Sequence, residues 1–253
     1  MVSARTTPNA APLSARAGIR IIPRPPRSHP GASIHPPPGR KIPVPAPIQQ
    51  TPGMSESDRL ETFCDGVFAI AITLLVLEIR VPTAQQVHAA GGLLHALRGL
   101  WPSYLGYVLG FLTIGIMWTN HHAIFQYVRR TDRYFLLVNV LFLLTISFVP
   151  FPTAVLAEYL PEPAERGDAI VLYSAVMVAM ALTYNAVWWY AVRGGRFLEP
   201  DADMQAVRTI SRRYLMGPPA YGAVLVLAFF APWAALAGHA LLALLYLLPE
   251  RGR

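Results

Sequence analysis

Long apolar runs recur along the chain after residue 60, separated by short stretches that carry most of the charge. Hydrophobic residues make up 54% of the chain and charged residues only 14%, whereas a soluble domain carries about 25% charge. Runs of this length exceed ordinary core strands and match helices that cross a bilayer. The sequence therefore predicts an all-α membrane protein with six transmembrane helices. The expected spans are 60–79, 99–124, 134–153, 169–192, 212–230 and 233–248.

Charge alternates between the connecting segments. The loops 125–133 and 193–213 and the C-terminal end are rich in arginine, whereas the loop 154–168 is acidic and the loop 80–98 has only two arginines. Because positively charged loops stay on the cytoplasmic side, this alternation predicts that both termini are cytoplasmic. The net charge of +7 is spread over loops and tail, which is unlike the basic face of a nucleic-acid-binding protein. We therefore expect no nucleic-acid partner.

The first 55 residues differ from the rest of the chain. They hold 13 of the 24 prolines and seven basic residues but no acidic residue. Such a segment buries too little apolar surface to fold, so the sequence predicts a disordered tail over 1–55 and a six-helix transmembrane domain over 56–250. An alternative is that 1–53 is a misassigned upstream extension, because Met54 precedes two serines, Ser55 and Ser57, that are suited to cap a helix.

Prolines mark the expected distortions within the spans. Pro150 and Pro152 close the third span, where they are predicted to kink or end the helix. Pro218 and Pro219 are predicted to distort the first turns of the fifth span, and Pro232 is placed to start the sixth.

The first span, FCDGVFAIAITLLVLEI from Phe63 to Ile79, carries a carboxylate, Asp65, near its start. A charge this close to hydrocarbon is costly without a partner, which makes it a candidate functional residue. At about 100° per residue, one helix face collects bulky aliphatic side chains and one hydroxyl, while Asp65 lies about 140° from Ile70. Such a stripe commonly faces lipid or a neighbouring helix. Its members are Phe63, Gly66, Ile70, Thr73, Leu74 and Leu77.

The second span ends in a polar segment that we expect at the depth of Asp65. Trp118, Asn120, His121 and His122 can all donate hydrogen bonds to a buried carboxylate. Arg59 lies near the same end of the first span. Interfacial histidines without a special role remain an alternative. A metal site is a weaker one, because adjacent histidines point about 100° apart on a helix.

Arg59 followed by Phe63-Cys64-Asp65-Gly66 and the run VFAIAITLLV resembles the signature that opens the first helix of the transmembrane protein 175 family. The resemblance implies a potassium-permeable channel whose first helices line a central pore. It assigns the narrowest apolar ring to Ile70, further apolar rings to Leu74 and Leu77, and a potassium-preferring hydroxyl to Thr73. No TVGYG-type carbonyl filter occurs in the chain, which predicts modest selectivity.

The resemblance also implies a network that anchors the pore helix. It includes Arg59, Phe63 and Asp65, together with Trp118, Asn120, His121 and His122 of the second span. Cys64 stands where the family usually has serine, and a thiol is a weaker hydrogen-bond donor than a hydroxyl. Six spans with one such motif imply a homotetramer surrounded by lipid, in the plasma membrane of a bacterium. Potassium is then the permeant species, with no cofactor.

Two other functions are compatible with the residues. A proton-coupled secondary transporter would use Asp65 and a histidine as a relay, and it would show broken helices and an internal repeat. A membrane-embedded metal enzyme would use His121, His122 and Asp65, and it would need further ligands at that depth. The single cysteine, Cys64, excludes an intrachain disulfide and a zinc site of several cysteines.

Overall fold

A computed structural model describes residues 55–128, 130–195, 197–198 and 202–247. Over these residues the protein is helical and contains no β-strand. Some positions used in the sequence analysis lie outside the described residues. They are the predicted tail up to residue 54 and the arginines at 129, 196, 251 and 253. The helices are α1 Glu56–Leu74, α2 Ala84–Ala89, α3 Leu93–Gly99, α4 Trp101–Phe125, α5 Arg133–Phe148, α6 Pro150–Tyr159, α7 Arg166–Val192, α8 Met204–Ala228 and α9 Pro232–Leu247.

Four helical segments of the described residues are long and apolar enough to cross a membrane. They are Glu56–Glu78, Trp101–Phe125, Arg133–Tyr159 and Arg166–Gly195, and Pro232–Leu247 is a shorter apolar helix. These segments correspond to the first four predicted spans and the sixth. The described residues are therefore all-α and contain four membrane-length helices, in line with the recurrent apolar runs.

Helix α1 begins with the cap that the sequence predicts. The hydroxyl of Ser55 accepts a hydrogen bond from the Asp58 N–H at 3.1 Å, and the Ser55 N–H donates to the Asp58 carboxylate at 3.0 Å. Both groups would otherwise be unpaired at a helix start, so this capping box fixes where α1 begins. At its other end α1 tightens into a 3₁₀ turn over Leu75–Glu78.

The third span is divided into two helices, α5 and α6, at Val149 and Pro150. Proline lacks the N–H that would continue the helical ladder, which explains the break. The predicted distortion at this site is thus present. The loop predicted over 80–98 contains the two short helices α2 and α3, and Thr83 caps α2 through the N–H of Gln86 at 3.3 Å.

The fifth predicted span, 212–230, lies in a helix that begins earlier, because α8 starts at Met204. Asp203 caps it, since its Oδ1 accepts from the N–H groups of Gln205 at 2.8 Å and Ala206 at 3.3 Å. Pro218 and Pro219 are therefore inside α8 rather than in its first turns, and the interpretation of 204–211 as loop was wrong. Helix α9 begins at the predicted proline, Pro232.

The helices pack in an order that leaves α1 at one side of the bundle. Helix α7 contacts α5, α6 and α8, and α9 lies against α8, α4 and α7. Helix α1 and its terminal 3₁₀ turn pack between α4 and α5 through a buried face: Leu60, Cys64, Phe68, Ala71 and, in the turn, Leu75. This spacing of three and four residues is that of a single helix face. One face of α1 is therefore buried in the subunit, and the other is not.

Two glycines allow α4 to approach its neighbours closely. A Cβ atom added at Gly106 would lie 3.3 Å from the Cγ2 of Thr153, and one added at Gly110 would lie 3.0 Å from the Cδ2 of Leu75. Small residues at such contacts permit close packing of membrane helices, where apolar burial supplies little driving force. The absence of a side chain at Gly110 therefore allows Leu75 in the 3₁₀ turn of the first span to pack directly on α4.

We predict that Gly110→Leu destabilises the protein by about 1–3 kcal/mol, because the added side chain overpacks the contact with Leu75. Gly222→Leu is the matched control, because a Cβ at Gly222 in α8 meets no described atom within 4 Å. Thermal unfolding of both variants in detergent, followed by tryptophan fluorescence, measures the difference. Equal unfolding midpoints for the two variants would contradict this role of Gly110.

Candidate functional site

The unburied face of α1 carries the residues that the sequence places on one stripe. Ile70 is 61% exposed, Leu77 is 70% exposed, and Leu74, Thr73 and Phe63 are also exposed. Three large aliphatic side chains thus project from one subunit with no described residue covering them. Continuous apolar exposure of this kind marks an interface or a surface that meets lipid.

Thr73 provides the hydroxyl group of this face, and that hydroxyl donates its hydrogen bond within the helix. The Thr73 Oγ1 lies 2.9 Å from the carbonyl oxygens of Ala69 and Ile70, which both accept its hydrogen bond. The lone pairs of Oγ1 therefore remain available on the exposed side. An oxygen with free lone pairs is a ligand that an alkali cation can use, so Thr73 adds one polar acceptor to an otherwise apolar face.

Two side-chain bridges tie the start of α1 to the end of α4. The indole N–H of Trp118 donates to the Asp65 carboxylate at 2.9 Å. One turn earlier, the Glu61 carboxylate lies 2.7 Å from the Nδ1 of His122. The rings of Trp118 and His122 are stacked with their centroids 6.1 Å apart. Each bridge pairs a carboxylate of α1 with a donor of α4, so together they restrain how α1 can rotate about its own axis.

His121 does not belong to these bridges. Its Nε2 lies 2.9 Å from the Oδ1 of Asn139 in α5, and the amide nitrogen of Asn139 donates to the Phe135 carbonyl at 2.8 Å. Since that amide points its oxygen at the imidazole, Nε2 is the nitrogen that carries the proton. His121 is completely buried among the rings of Phe68, Phe125 and Phe142. It links α4 to α5 and not to Asp65.

Asn120 and Arg59 also differ from the expected arrangement. Asn120 was expected near Asp65, but its backbone carbonyl accepts a hydrogen bond from the Tyr184 hydroxyl at 3.1 Å. This bond joins α4 to α7. The Arg59 side chain is exposed and forms no hydrogen bond or ion pair with the described residues. It lines a groove of about 620 Å³ between the starts of α1 and α5. Of the expected donors to Asp65, the structure brings only Trp118 to it within the described residues.

Cys64 lies on the buried face of α1 as a free thiol. It is completely buried, whereas Phe63, the preceding member of the motif, is 58% exposed. The motif therefore divides between the two faces. Phe63 belongs to the open face, Cys64 to the subunit core, and Asp65 to the bridge with α4.

Sequence reasoning missed Glu61 as a partner of His122 and Asn139 as a partner of His121. The first pair has a signal in the sequence: Glu61 and Asp65 are four residues apart on α1, and Trp118 and His122 are four apart on α4. Residues at this spacing share a helix face, so two facing pairs are a recognisable pattern. The second pair has no comparable signal, because it depends on the rotation of α5 against α4.

The described residues contain no group of three or more His, Cys, Asp or Glu side chains arranged to hold a metal ion. The chemistry of this region is therefore that of an apolar face with one acceptor oxygen, held in place by charge-assisted hydrogen bonds. Nothing in this arrangement is a nucleophile with an adjacent base.

Comparison with known proteins gives a consistent set of relatives. The family described as "Endosomal/lysosomal potassium channel TMEM175" matches residues 59–150. A potassium channel of Streptomyces collinus is 50% identical over 193 residues, which cover 76% of this chain and 92% of that protein. A potassium channel of Chamaesiphon minutus is 46% identical over 184 residues, which cover 73% of this chain and 90% of that protein.

A solved structure is similar to the fold. The crystal structure of a lysosomal potassium-selective channel TMEM175 homolog from Chamaesiphon minutus superposes with a TM-score of 0.70 at 42% sequence identity. The match covers 76% of this chain and 97% of that chain. With half of its aligned residues identical over nearly the full length of a relative, this chain belongs to the TMEM175 family.

Proposed function

We propose that this protein is a potassium-permeable channel in which four copies surround a central pore lined by α1. The observation that carries the proposal is the bare aliphatic face of α1, because one subunit leaves Ile70, Leu74 and Leu77 uncovered while it buries the opposite face. The relatives named as potassium channels support potassium as the permeant ion. The channel needs no resident cofactor.

In this arrangement the pore is closed by apolar rings. Ile70 from each copy forms the narrowest ring, and Leu74 and Leu77 form further rings toward the other end. A pore that is narrow and apolar loses its water, and an ion cannot cross the dry segment without its hydration shell. Thr73 places an acceptor oxygen between these rings, where it offsets part of the dehydration of a potassium ion.

The proposed membrane topology has six crossings and cytoplasmic termini. The crossings are α1, α4, the pair α5 and α6, α7, α8 and α9, and the channel domain is 56–250. The arginine-rich loops then face the cytoplasm. The plasma membrane of a bacterium is the proposed location, because the relatives of similar length are bacterial.

The bridges from Asp65 and Glu61 to α4 act as the anchor of the pore helix. A pore wall has no packing partner on its open side, so its orientation depends on bonds made at its other faces. Charge-assisted hydrogen bonds are about twice as strong as neutral ones. The Asp65–Trp118 pair therefore keeps Ile70 pointing at the pore axis. His122 belongs to the anchor through Glu61, whereas His121 and Asn120 fix α4 against α5 and α7. Arg59, Phe63 and Cys64 are its neighbours along α1.

The direct test is current recording from purified protein in planar bilayers under bi-ionic conditions. We expect passive current with a reversal potential that favours potassium over sodium. Transport that requires an imposed proton gradient would replace this proposal with a secondary transporter. Stoichiometric bound metal in the purified protein would favour an enzyme.

Ile70→Ser is predicted to raise the basal potassium conductance several-fold, since a small hydroxyl side chain widens and wets the narrowest ring. Leu244→Ser is the control, because Leu244 of α9 is 58% exposed but is not on the proposed pore wall. Single-channel recordings of both variants provide the comparison. An unchanged open probability and unit conductance in Ile70→Ser would remove Ile70 from the constriction.

Trp118→Phe is predicted to lower stability by about 1.5–3 kcal/mol, because the Asp65 carboxylate loses its charge-assisted partner. Trp189→Phe, on α7, removes an indole that is 44% exposed and makes no hydrogen bond with the described residues, so little change is expected. The measurements are the thermal midpoint of the assembled protein and its potassium-to-sodium permeability ratio. A stable tetramer with unaltered currents after Trp118→Phe would contradict the anchoring role.

A further inference from the structure

Helix α4 presents an exposed stripe along its whole length, although Trp118 and His122 also bond to α1 at its end. The stripe residues recur at alternating steps of three and four, and all but the glycine are exposed: Trp101, Tyr104, Val108, Phe111, Gly115, Trp118 and His122. A repeat averaging 3.5 residues is the pattern of a helix that packs lengthwise against another helix. We call this set the α4 stripe.

The segment formed by α5 and α6 presents a second stripe with the same repeat. Its members are exposed and recur at steps of four and three: Arg133, Leu137, Val140, Leu144, Ser147 and Phe151. We call this set the α5 stripe. The two stripes differ in shape, since the α4 stripe is aromatic around a central glycine and the middle of the α5 stripe is aliphatic, at Leu137, Val140 and Leu144. The aliphatic ridge of the α5 stripe is complementary in shape to the groove that Gly115 leaves between the aromatic side chains of the α4 stripe.

The two stripes flank the open face of α1. Ile72 borders a groove of about 470 Å³ together with Phe111, Gly115 and Trp118 of the α4 stripe. On the other flank, Phe63 borders the groove of about 620 Å³ together with Arg133 and Val140 of the α5 stripe. Any closed ring that turns the open face of α1 inward must therefore bring the α4 flank of one copy against the α5 flank of the next.

Gly115 indicates where a neighbouring side chain would enter. Within α4, Gly106 and Gly110 each receive a side chain from the same subunit, Thr153 and Leu75 respectively. Gly115 is the exception, because a Cβ atom built there meets no described atom within 4 Å. A glycine in a membrane helix that seats nothing within its own subunit is suited to close approach by a second helix.

The charges at one end of the two stripes are opposite. Two carboxylates of α1 lie at the end of the α4 stripe, because Glu61 bonds to His122 and Asp65 bonds to Trp118. The start of the α5 stripe carries Arg133, which is exposed and forms no ion pair with the described residues. Both ends lie at the same membrane depth, because the short segment 126–132 joins α4 to α5. A ring would place Arg133 of each copy near the acidic end of the next.

We propose that the α4 stripe and the α5 stripe form the contact between successive copies of this chain. The inference rests on the proposed function, which requires α1 to face a common axis, and it names the surfaces that close the ring. Gly115 lies ten residues before the end of α4, and Leu144 lies eleven residues after the start of α5. At about 1.5 Å per residue these positions share one depth, so Leu144 enters the groove at Gly115.

Cysteine cross-linking tests this contact in the full chain. Gly115→Cys is combined with Leu144→Cys and, in separate proteins, with Leu141→Cys or Phe148→Cys, so that a shift of one turn is covered. Oxidation in lipid nanodiscs should produce a ladder of cross-linked dimer, trimer and tetramer on a non-reducing gel, because each disulfide joins two copies. Each single-cysteine variant should stay at the parent level, since the two stripes are different surfaces and the native Cys64 is completely buried.

The matched control combines Gly115→Cys with Leu182→Cys. Leu182 of α7 is 54% exposed and lies ten residues from the end of its helix, at a comparable depth. A ladder of equal intensity from this control would overturn the proposed contact. So would a self-cross-linked dimer from Gly115→Cys alone, because that product requires a twofold interface.

Light scattering and current recording separate the two proposals. A conducting tetramer that gives no ladder from any of the three pairs would overturn this contact and leave the channel intact. A protein that stays monomeric in lipid and passes no current would overturn both.

Discussion

A carboxylate within an apolar span must find a donor, and this requirement determines how the first helix sits in the subunit. Asp65 finds one in the indole of Trp118, and Glu61 finds one in His122 a turn earlier. The alternative is an unpaired charge close to hydrocarbon, which costs several kcal/mol. Because both donors lie on α4, satisfying the two acids sets the rotation of α1. The side chains on its remaining face are then left without cover.

The helical membrane class and the positions of the apolar spans follow from the sequence because they depend on local properties. Length, hydrophobicity and proline positions locate the first span and the break at Pro150. The start of α8 at Met204 was not predicted, since its first turns carry arginines that resemble a loop. A helix continues through such residues when one of its faces is buried, here through Val207 and Tyr214. Tertiary packing, not local composition, decides that boundary.

The pairing of the polar residues was only partly predictable for a related reason. The sequence collects the correct donors near Asp65, but their assignment depends on the rotation of each helix about its own axis. His121 and His122 are adjacent in sequence, yet they point to different helices, Asn139 on α5 and Glu61 on α1. A difference of about 100° per residue is enough to separate them. Only the packed bundle specifies which neighbour lies in each direction.

The short 3₁₀ turn that ends the first span sets the relative directions of Leu74 and Leu77, which form two of the proposed pore rings. With three residues per turn, Leu77 is eclipsed directly over Leu74, so the two side chains form one vertical column. Rewinding the turn to α geometry would swing Leu77 by about 60° out of that column, since each of three steps shortens from about 120° to about 100°. In the proposed channel, such a local change of winding would change the diameter of the Leu77 ring while the bridged beginning of the helix stays in place.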